Sequence, residues 1–123
     1  MPRLGWIAVF GIVGIFGRYG LDTWLAPYTE AFPISTFGIN LLGSFAAGLL
    51  FVFGFERGAL PEDLRIGLMV GLLGGFTTFS AYSLQSARLF ESGARPMATL
   101  YWLLSPLGGG LSAWAGLALG RYL

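Results

Sequence analysis

Long apolar stretches dominate the pattern of hydrophobic and polar positions along this chain. Four largely apolar runs cover residues 4–25, 34–55, 64–90 and 97–119. A run of about 20 such residues is long enough to cross the hydrocarbon core of a bilayer as an α-helix. The connections between the runs are short, so successive helices are expected to be antiparallel neighbours. The pattern predicts an all-α membrane protein of four transmembrane helices, with residues 1–123 as a single domain.

Composition indicates a bilayer rather than water as the surrounding solvent. Of the 123 residues, 55% are hydrophobic and 11% are charged, whereas an ordinary soluble domain has about 25% charged residues. The chain has no histidine and no cysteine, so the commonest general base and the thiolate ligands are missing. A net charge of +1 gives no broad basic face for nucleic acid. An enzyme is disfavoured, because no span combines a base, a nucleophile and an orienting group.

The arginines give only a weak signal for orientation in the membrane. With four spans, both termini and the second loop lie on one side, which holds four arginines against three near the other. Two interpretations stay open: one orientation prevails modestly, or copies insert both ways and pair antiparallel. Four thin helices cannot surround a wide pore, so a pathway would need more than one chain. The two groups are Arg3, Arg57, Arg65 and Arg121 on the first side, and Arg18, Arg88 and Arg95 near the second.

Small residues recur at helical spacing in three of the spans. The three sets are Gly11, Gly14, Gly17 and Gly20; Gly67, Gly71 and Gly75; and Gly108, Ser112, Gly116 and Gly120. Stripes of small residues allow the backbones of membrane helices to approach closely. The stripes predict tight packing within the chain, between chains, or both.

Polar residues inside the apolar runs are candidates for function, because a polar group is costly in hydrocarbon. Arg18 lies below the interface in the first span; it either extends to the headgroups, with Asp22 as its partner one turn later, or attracts anions at the mouth of a path. Asn40, early in the second span, either forms an interhelical hydrogen bond or offers its amide to an anion in transit. An uncharged donor binds an anion without trapping it.

The third span carries the densest polar segment, GGFTTFSAYS at residues 74–83. Adjacent glycines are poor helix formers, and threonine hydroxyls compete with the backbone for hydrogen bonds. The segment predicts either a continuous helix or one broken near its middle, whose freed carbonyls would form an ion site. Phe79 and Tyr82 share a face, and the positive edge of an aromatic ring can support a small anion.

The fourth span contains three hydroxyls at helical spacing, on Tyr101, Ser105 and Ser112. Pro106 has no amide hydrogen, so the carbonyl of Trp102, one turn earlier, loses its helical donor. We expect a neighbouring polar group to donate to that carbonyl instead.

Three segments together resemble the Fluc (CrcB) family of small fluoride channels. Residues 17–19 read GRY, like the family's G-x-x-x-R-[YW] segment. Residues 36–45 read TFGINLLGSF, like G-T-x-x-V-N-x-x-G-x-F. Residues 71–80 read GLLGGFTTFS, like G-x-x-G-G-x-T-T-F-S-T-F, and this string is the most specific of the three. The resemblance covers nearly the whole chain.

The resemblance implies a passive fluoride channel that confers fluoride resistance, located in the inner (plasma) membrane. It implies an antiparallel, dual-topology homodimer with two fluoride pores, and a structural Na⁺ at the dimer centre held by the carbonyls of Gly74 and Thr77 at a break in the third helix. The implied partners are fluoride, a second copy in the opposite orientation and the lipid bilayer. The fluoride path would involve Arg18, Thr36, Asn40, Phe79, Ser80, Tyr82, Tyr101, Ser105 and Ser112.

Two positions differ from the family pattern, which has T-F where this chain has Ala81 and Tyr82. Ala81 removes a hydroxyl, whereas Tyr82 keeps the ring and adds one. Two other functions stay open: a proton-coupled small multidrug-type exporter, for which Asp22 is the nearest candidate acid, and a non-transporting membrane scaffold subunit.

Overall fold

Helices account for nearly all of the chain. A computed structural model describes residues 2–123. Helix α1 (Pro2–Leu25) is followed by a 3-10 turn, and helix α2 (Ile34–Leu50) continues as a wide π-helical segment to Glu56. The third span comprises α3 (residues 62–76) and α4 (Phe79–Glu91), and α5 (Arg95–Tyr122) completes the fold.

Within residues 2–123, four helical segments are long and apolar enough to cross a membrane. They are Pro2–Tyr28, Ile34–Glu56, Glu62–Glu91 and Arg95–Tyr122. Many of their large apolar side chains are exposed on the single chain, as lipid or a protein partner in the membrane would require. The all-helical fold with four long apolar helices confirms the predicted class of an all-α membrane protein.

The backbone of the third span leaves the helical conformation between α3 and α4. Thr77 has φ −84° and ψ 159°, and Thr78 has φ −149° and ψ 120°, both extended. The Thr77 hydroxyl donates to the carbonyl of Leu73 at 2.9 Å. The Thr78 hydroxyl accepts from the amide of Ala81 at 3.2 Å and so caps the start of α4. The two threonine side chains therefore satisfy backbone groups on both sides of the interruption.

Glycines bring helix backbones into direct contact at two interfaces. A Cβ added to Gly14 of α1 would overlap the carbonyl oxygen of Leu72 in α3. A Cβ on Gly116 of α5 would likewise overlap the carbonyl oxygen of Phe45 in α2. Such close approach maximises van der Waals contact where the hydrophobic effect does not drive helices together.

The stripes of small residues therefore pack within the chain for most of their length. Gly67, Gly71 and Gly75 face α1, where an added Cβ would meet Trp6, Ile7 or Gly11. In α5, a Cβ added to Gly108, Gly116 or Gly120 would meet side chains or backbone between residues 37 and 52. The sequence left open whether the stripes pack within the chain or between chains, and the geometry shows packing within one chain.

Ion pairs join the helix ends on one side of the bundle. Arg3 at the start of α1 contacts Asp63 at 2.8 Å and Glu62 at 3.2 Å. Arg121 at the end of α5 donates to both carboxylate oxygens of Glu56, at 3.0 and 2.8 Å. The first set joins the start of α1 to the start of α3, and the second joins the end of α5 to the end of the second span.

Candidate functional site

Asn40 of α2 holds the extended backbone between α3 and α4. Its Nδ2 donates to the carbonyl of Thr78 at 2.9 Å, and its Oδ1 accepts from the Thr78 amide at 2.8 Å. This pair of bonds also fixes which end of the amide is the donor. The Thr78 carbonyl takes one of the two Nδ2 hydrogens, so the second is directed elsewhere. Asn40 borders a cavity of about 350 Å³ that Thr77, Thr78 and Phe79 also line.

Backbone carbonyls next to the interruption lose the donors that a continuous helix would give them, and for two of these carbonyls the donor amide bonds to a side chain instead. An α-helical amide donates to the carbonyl four residues earlier. The amide of Thr78 donates to Asn40 instead of to the carbonyl of Gly74. The amide of Ala81 donates to the Thr78 hydroxyl instead of to the carbonyl of Thr77. The carbonyls of Gly74 and Thr77 are thus the two that diverted amides leave free.

Arg18 of α1 lies against the backbone of α3 just before the interruption. Its Nε donates to the carbonyl of Gly75 at 3.2 Å. Asp22, which the sequence offers as its helix partner, instead accepts from the Ser35 hydroxyl. That carboxylate therefore joins α1 to the start of α2.

Aromatic rings form a continuous row from the interruption to the first loop. Phe79 and Tyr82 have ring centroids 5.7 Å apart, and Tyr82 and Tyr101 have centroids 5.2 Å apart in an edge-to-face arrangement. Tyr101 continues edge-to-face to Phe32 at 5.2 Å, and Phe32 to Phe37 at 5.5 Å. Phe79, at one end, is 78% exposed on the single chain, whereas Tyr101 is fully buried. In each edge-to-face contact, the positive edge of one ring lies against the negative face of the next.

The hydroxyl of Tyr82 donates to the carbonyl of Trp102 at 2.6 Å. This is the carbonyl that Pro106 deprives of its helical donor. The expectation that a neighbouring polar group satisfies it is confirmed. The Tyr82 hydroxyl therefore joins α4 to α5.

Hydroxyl groups of α2 and α5 lie near the inner part of the aromatic row. The Tyr101 hydroxyl donates to Oε1 of Gln85 at 2.9 Å, and Thr36 is 2% exposed. The Ser105 hydroxyl, one turn from Tyr101, is buried and has no hydrogen-bond partner within residues 2–123. Such a group is available to a ligand, since leaving it unpaired is costly.

Ser112 and Ser80 lie apart from these hydroxyls. Ser112 is two turns beyond Ser105 on α5 and is partly exposed, and Ser80 is exposed on the first turn of α4. The predicted site residues therefore divide into a group at the interruption and a group around Tyr101, with these two serines outside both.

A polar cavity of about 410 Å³ opens at the end of the bundle beside Thr36. Its walls carry carboxylate, guanidinium, amide and hydroxyl groups, from Asp22, Glu30, Ser35, Thr36, Gln85 and Arg88. Gln85 and Arg88 are not among the site residues taken from the sequence. Gln85 and Arg88 lie three and six residues after Tyr82, so they project from α4 near the side that carries Tyr82. This spacing is the only feature of the sequence that could have indicated them.

The fold and these two groups define a multi-pass membrane protein whose helices carry uncharged hydrogen-bond donors and a row of contacting aromatic rings. Residues 5–117 match the family model described as CrcB-like protein, Camphor Resistance (CrcB). The chain belongs to the CrcB family, which confirms the family identified from its motifs.

Curated relatives match over nearly the whole length of the chain. A protein of Pseudomonas putida is 41% identical over 117 residues, covering 94% of each chain. One of Magnetococcus marinus is 42% identical over 125 residues, covering 98% of this chain and 99% of its own. One of Geotalea daltonii is 38% identical over 124 residues and covers both chains fully. All three are named fluoride-specific ion channel FluC.

Proposed function

We propose that this chain is a fluoride-selective ion channel that lets fluoride leave the cell passively and so confers fluoride resistance. One observation carries the proposal: Asn40, in a chain of the CrcB family, lines the cavity beside Phe79, and its Nδ2 keeps one hydrogen after donating to Thr78. A neutral donor of this kind can replace part of the hydration shell of fluoride without holding the ion permanently.

The path that we propose is lined mainly by uncharged groups. Fluoride would enter by the polar cavity beside Thr36, whose walls carry the guanidinium of Arg88 together with the carboxylates of Asp22 and Glu30. The hydroxyls of Tyr101 and Ser105 and the amide of Asn40 then replace its lost water. Ring edges of Phe79 and Tyr82 supply positive electrostatic potential without a net charge. Ser80, Ser112 and Arg18 complete the residues that we assign to the path.

We infer that two copies in opposite orientations form the complete pores. Four helices are too few to enclose a channel, and several groups of the interruption lie at the surface of the single chain. Phe79 is 78% exposed and Gly74 is exposed. A ring and a free carbonyl at the surface fit an interface in which each copy completes the other's path. The inner (plasma) membrane is the location that we propose for this dimer.

We propose a structural Na⁺ at the centre of the dimer, bound by the carbonyls of Gly74 and Thr77 from each copy. The fit rests on two carbonyls whose helical donor amides bond to side chains instead, because carbonyl oxygens suit a hard cation. The bound ion would supply a positive charge that holds the two interruptions together. We expect replacement of Na⁺ by N-methylglucamine to lower the thermal unfolding midpoint of the dimer, since a ligand stabilises the state that binds it.

Proteoliposomes loaded with fluoride or chloride provide the direct test of the channel. An ion-selective electrode should record rapid fluoride release and little chloride release when a potassium ionophore removes the opposing voltage. Equal release of both halides would contradict the proposed selectivity. Fluoride release that changes with a proton gradient at fixed voltage would favour the proton-coupled exporter, for which the Asp22 carboxylate, engaged by Ser35, is poorly placed.

A substitution at Asn40 tests its place in the path. Asn40→Asp keeps the shape of the side chain and the acceptor for the Thr78 amide, but it replaces the NH₂ donor by a negative charge. We expect fluoride release to fall by about tenfold or more, equivalent to at least roughly 1.4 kcal/mol in barrier height. Unchanged release would remove Asn40 from the path.

A further inference from the structure

The bond between Tyr82 and Trp102 replaces a backbone hydrogen bond that this chain cannot make. In a continuous helix, the amide of residue 106 would donate to the carbonyl of residue 102. Pro106 has no amide hydrogen, and the helix continues through it from Arg95 to Tyr122. The Tyr82 hydroxyl reaches the vacant carbonyl from the neighbouring helix at 2.6 Å. The side chain therefore takes the place of a missing backbone donor.

The same hydrogen bond fixes the ring that Phe79 and Tyr101 contact. Tyr82 is 7% exposed, and its ring centroid is 5.7 Å from that of Phe79 and 5.2 Å from that of Tyr101. A tyrosine ring held at both its Cβ and its hydroxyl cannot swing about χ1. Its contact with Tyr101 is edge-to-face, and the ring of Phe79 is tilted by 55° against it. The orientations of both neighbours depend on the Tyr82 ring, because aromatic pairs in contact have preferred relative orientations.

The hydrogen bond between Tyr82 and Trp102 also lies at the wall of a cavity that Phe79 lines. Tyr82, Trp102 and Pro106 all line this cavity of about 710 Å³ between α4 and α5. Without the tyrosine hydroxyl, the Trp102 carbonyl would present an unpaired oxygen with partial negative charge beside the cavity. That charge would oppose an anion passing Phe79.

We propose that Tyr82 is a positioning residue for halide selection: its hydroxyl takes the place of the amide missing at Pro106 and so sets the angle at which the aromatic row meets the ion. The inference rests on the proposed channel function and adds a selectivity role for the hydroxyl. It also gives a physical reason for tyrosine at a position where the family pattern has phenylalanine, since the ring is retained and the hydroxyl is used for structure.

A set of four proteins tests the proposal: the unchanged chain, Tyr82→Phe, Pro106→Ala and the double variant. The Pro106→Ala substitution restores a backbone amide that can donate to the Trp102 carbonyl, so the Tyr82 hydroxyl becomes dispensable in that background. The readout is the ratio of fluoride to chloride release from proteoliposomes, which does not depend on how much protein folds. We expect Tyr82→Phe to lower the ratio about tenfold. Pro106→Ala and the double variant should both stay within about threefold of the unchanged chain.

Two results would overturn the proposal. The first is a Tyr82→Phe variant with the ratio of the unchanged chain, because the hydroxyl would then have no part in selection. The second is an equally low ratio in Tyr82→Phe and in the double variant, because the missing amide would then not be what the hydroxyl replaces. If Tyr82→Phe yields no folded dimer, a folded double variant with normal selectivity supports the proposal, and a double variant that also fails to fold contradicts it.

Failure of the channel function itself would be recognised separately. If the unchanged chain releases no fluoride, the proposed function is wrong whatever the variants do. Thermal unfolding of the same four proteins then still measures the coupling between residues 82 and 106, which the hydrogen bond requires and which transport does not affect.

Discussion

The two helices of the third span are held in the protein by different kinds of contact. Helix α3 packs against α1 backbone to backbone, with Gly71 and Gly75 facing α1 and Gly14 of α1 facing Leu72. Helix α4 is joined to α5 mainly through side chains, by the Tyr82 hydroxyl on the Trp102 carbonyl and the Tyr101 hydroxyl on Gln85. The type of packing changes completely across the short interruption between the two helices.

In the channel that we propose, this difference separates stability from selectivity along one membrane span. Close backbone packing leaves no room for a functional group but gives a rigid support. Packing through hydroxyls and rings leaves cavities and directs polar atoms into them, at the cost of weaker van der Waals contact. Asn40 is attached to the junction, where it orients the start of α4 relative to the support that α1 and α3 provide.

The largest effect is expected from a methyl group placed in the α1–α3 contact. In Gly14→Ala the new Cβ would overlap the Leu72 carbonyl, so the helices must separate. Overpacking of this kind typically costs about 1–3 kcal/mol, and we expect the upper end because the obstacle is backbone. The free energy of unfolding in detergent, followed by loss of the folded protein's chromatographic peak on heating, is the measurement.

Gly20→Ala is the matched control, because it lies on the same helix and an added Cβ meets nothing within 4 Å. Its stability should stay within about 1 kcal/mol of the unchanged chain. If both alanine variants lose stability equally, the α1–α3 contact is not what supports the third span.

A smaller effect is expected at the junction between the two helices. Thr78→Val keeps the shape of the side chain but removes the hydroxyl that accepts from the Ala81 amide. Loss of such a cap costs about 1 kcal/mol. We expect a modest fall in the unfolding midpoint, together with slower fluoride release, because α4 would begin less regularly beside Phe79.

Thr78→Ser provides the comparison, since it retains the hydroxyl and loses only a methyl group. Its stability and fluoride release should lie closer to those of the unchanged chain than to those of Thr78→Val. Serine and valine variants that behave alike would show that the methyl group, rather than the cap, matters at this position.

Much of this arrangement could be predicted from the sequence, because its causes are local. Apolar length predicts the four long helices, and the missing amide of Pro106 predicts a carbonyl at Trp102 that needs a new donor. The donor itself could not be identified, because it depends on how α4 rotates against α5, a property of tertiary packing. Spacing on one helix indicates which residues share a face but does not show what that face meets.

Gln85 illustrates the same limit from the other direction. The residues next to Gln85 in the sequence do not distinguish it from any other polar residue of an amphipathic helix. Its importance comes from Tyr101, sixteen residues later, whose hydroxyl donates to it across the α4–α5 interface. For a similar reason, the sequence does not show which helix each glycine stripe packs against. A face of small residues fits a helix of the same chain as well as one of a second copy.

The smallest effect is expected where α1 and α3 are joined by charge instead of by packing. Glu62 lies 3.2 Å from Arg3, but both side chains are largely exposed to solvent. Exposed ion pairs contribute little, and salt screens them. We therefore expect Glu62→Gln to leave the unfolding midpoint and the fluoride release unchanged at physiological salt, with Asp63→Asn, at the shorter contact to Arg3, changing them only slightly. A loss of stability in Glu62→Gln as large as that in Gly14→Ala would mean that charge at the helix ends, and not backbone contact, holds the first helix of the third span in place.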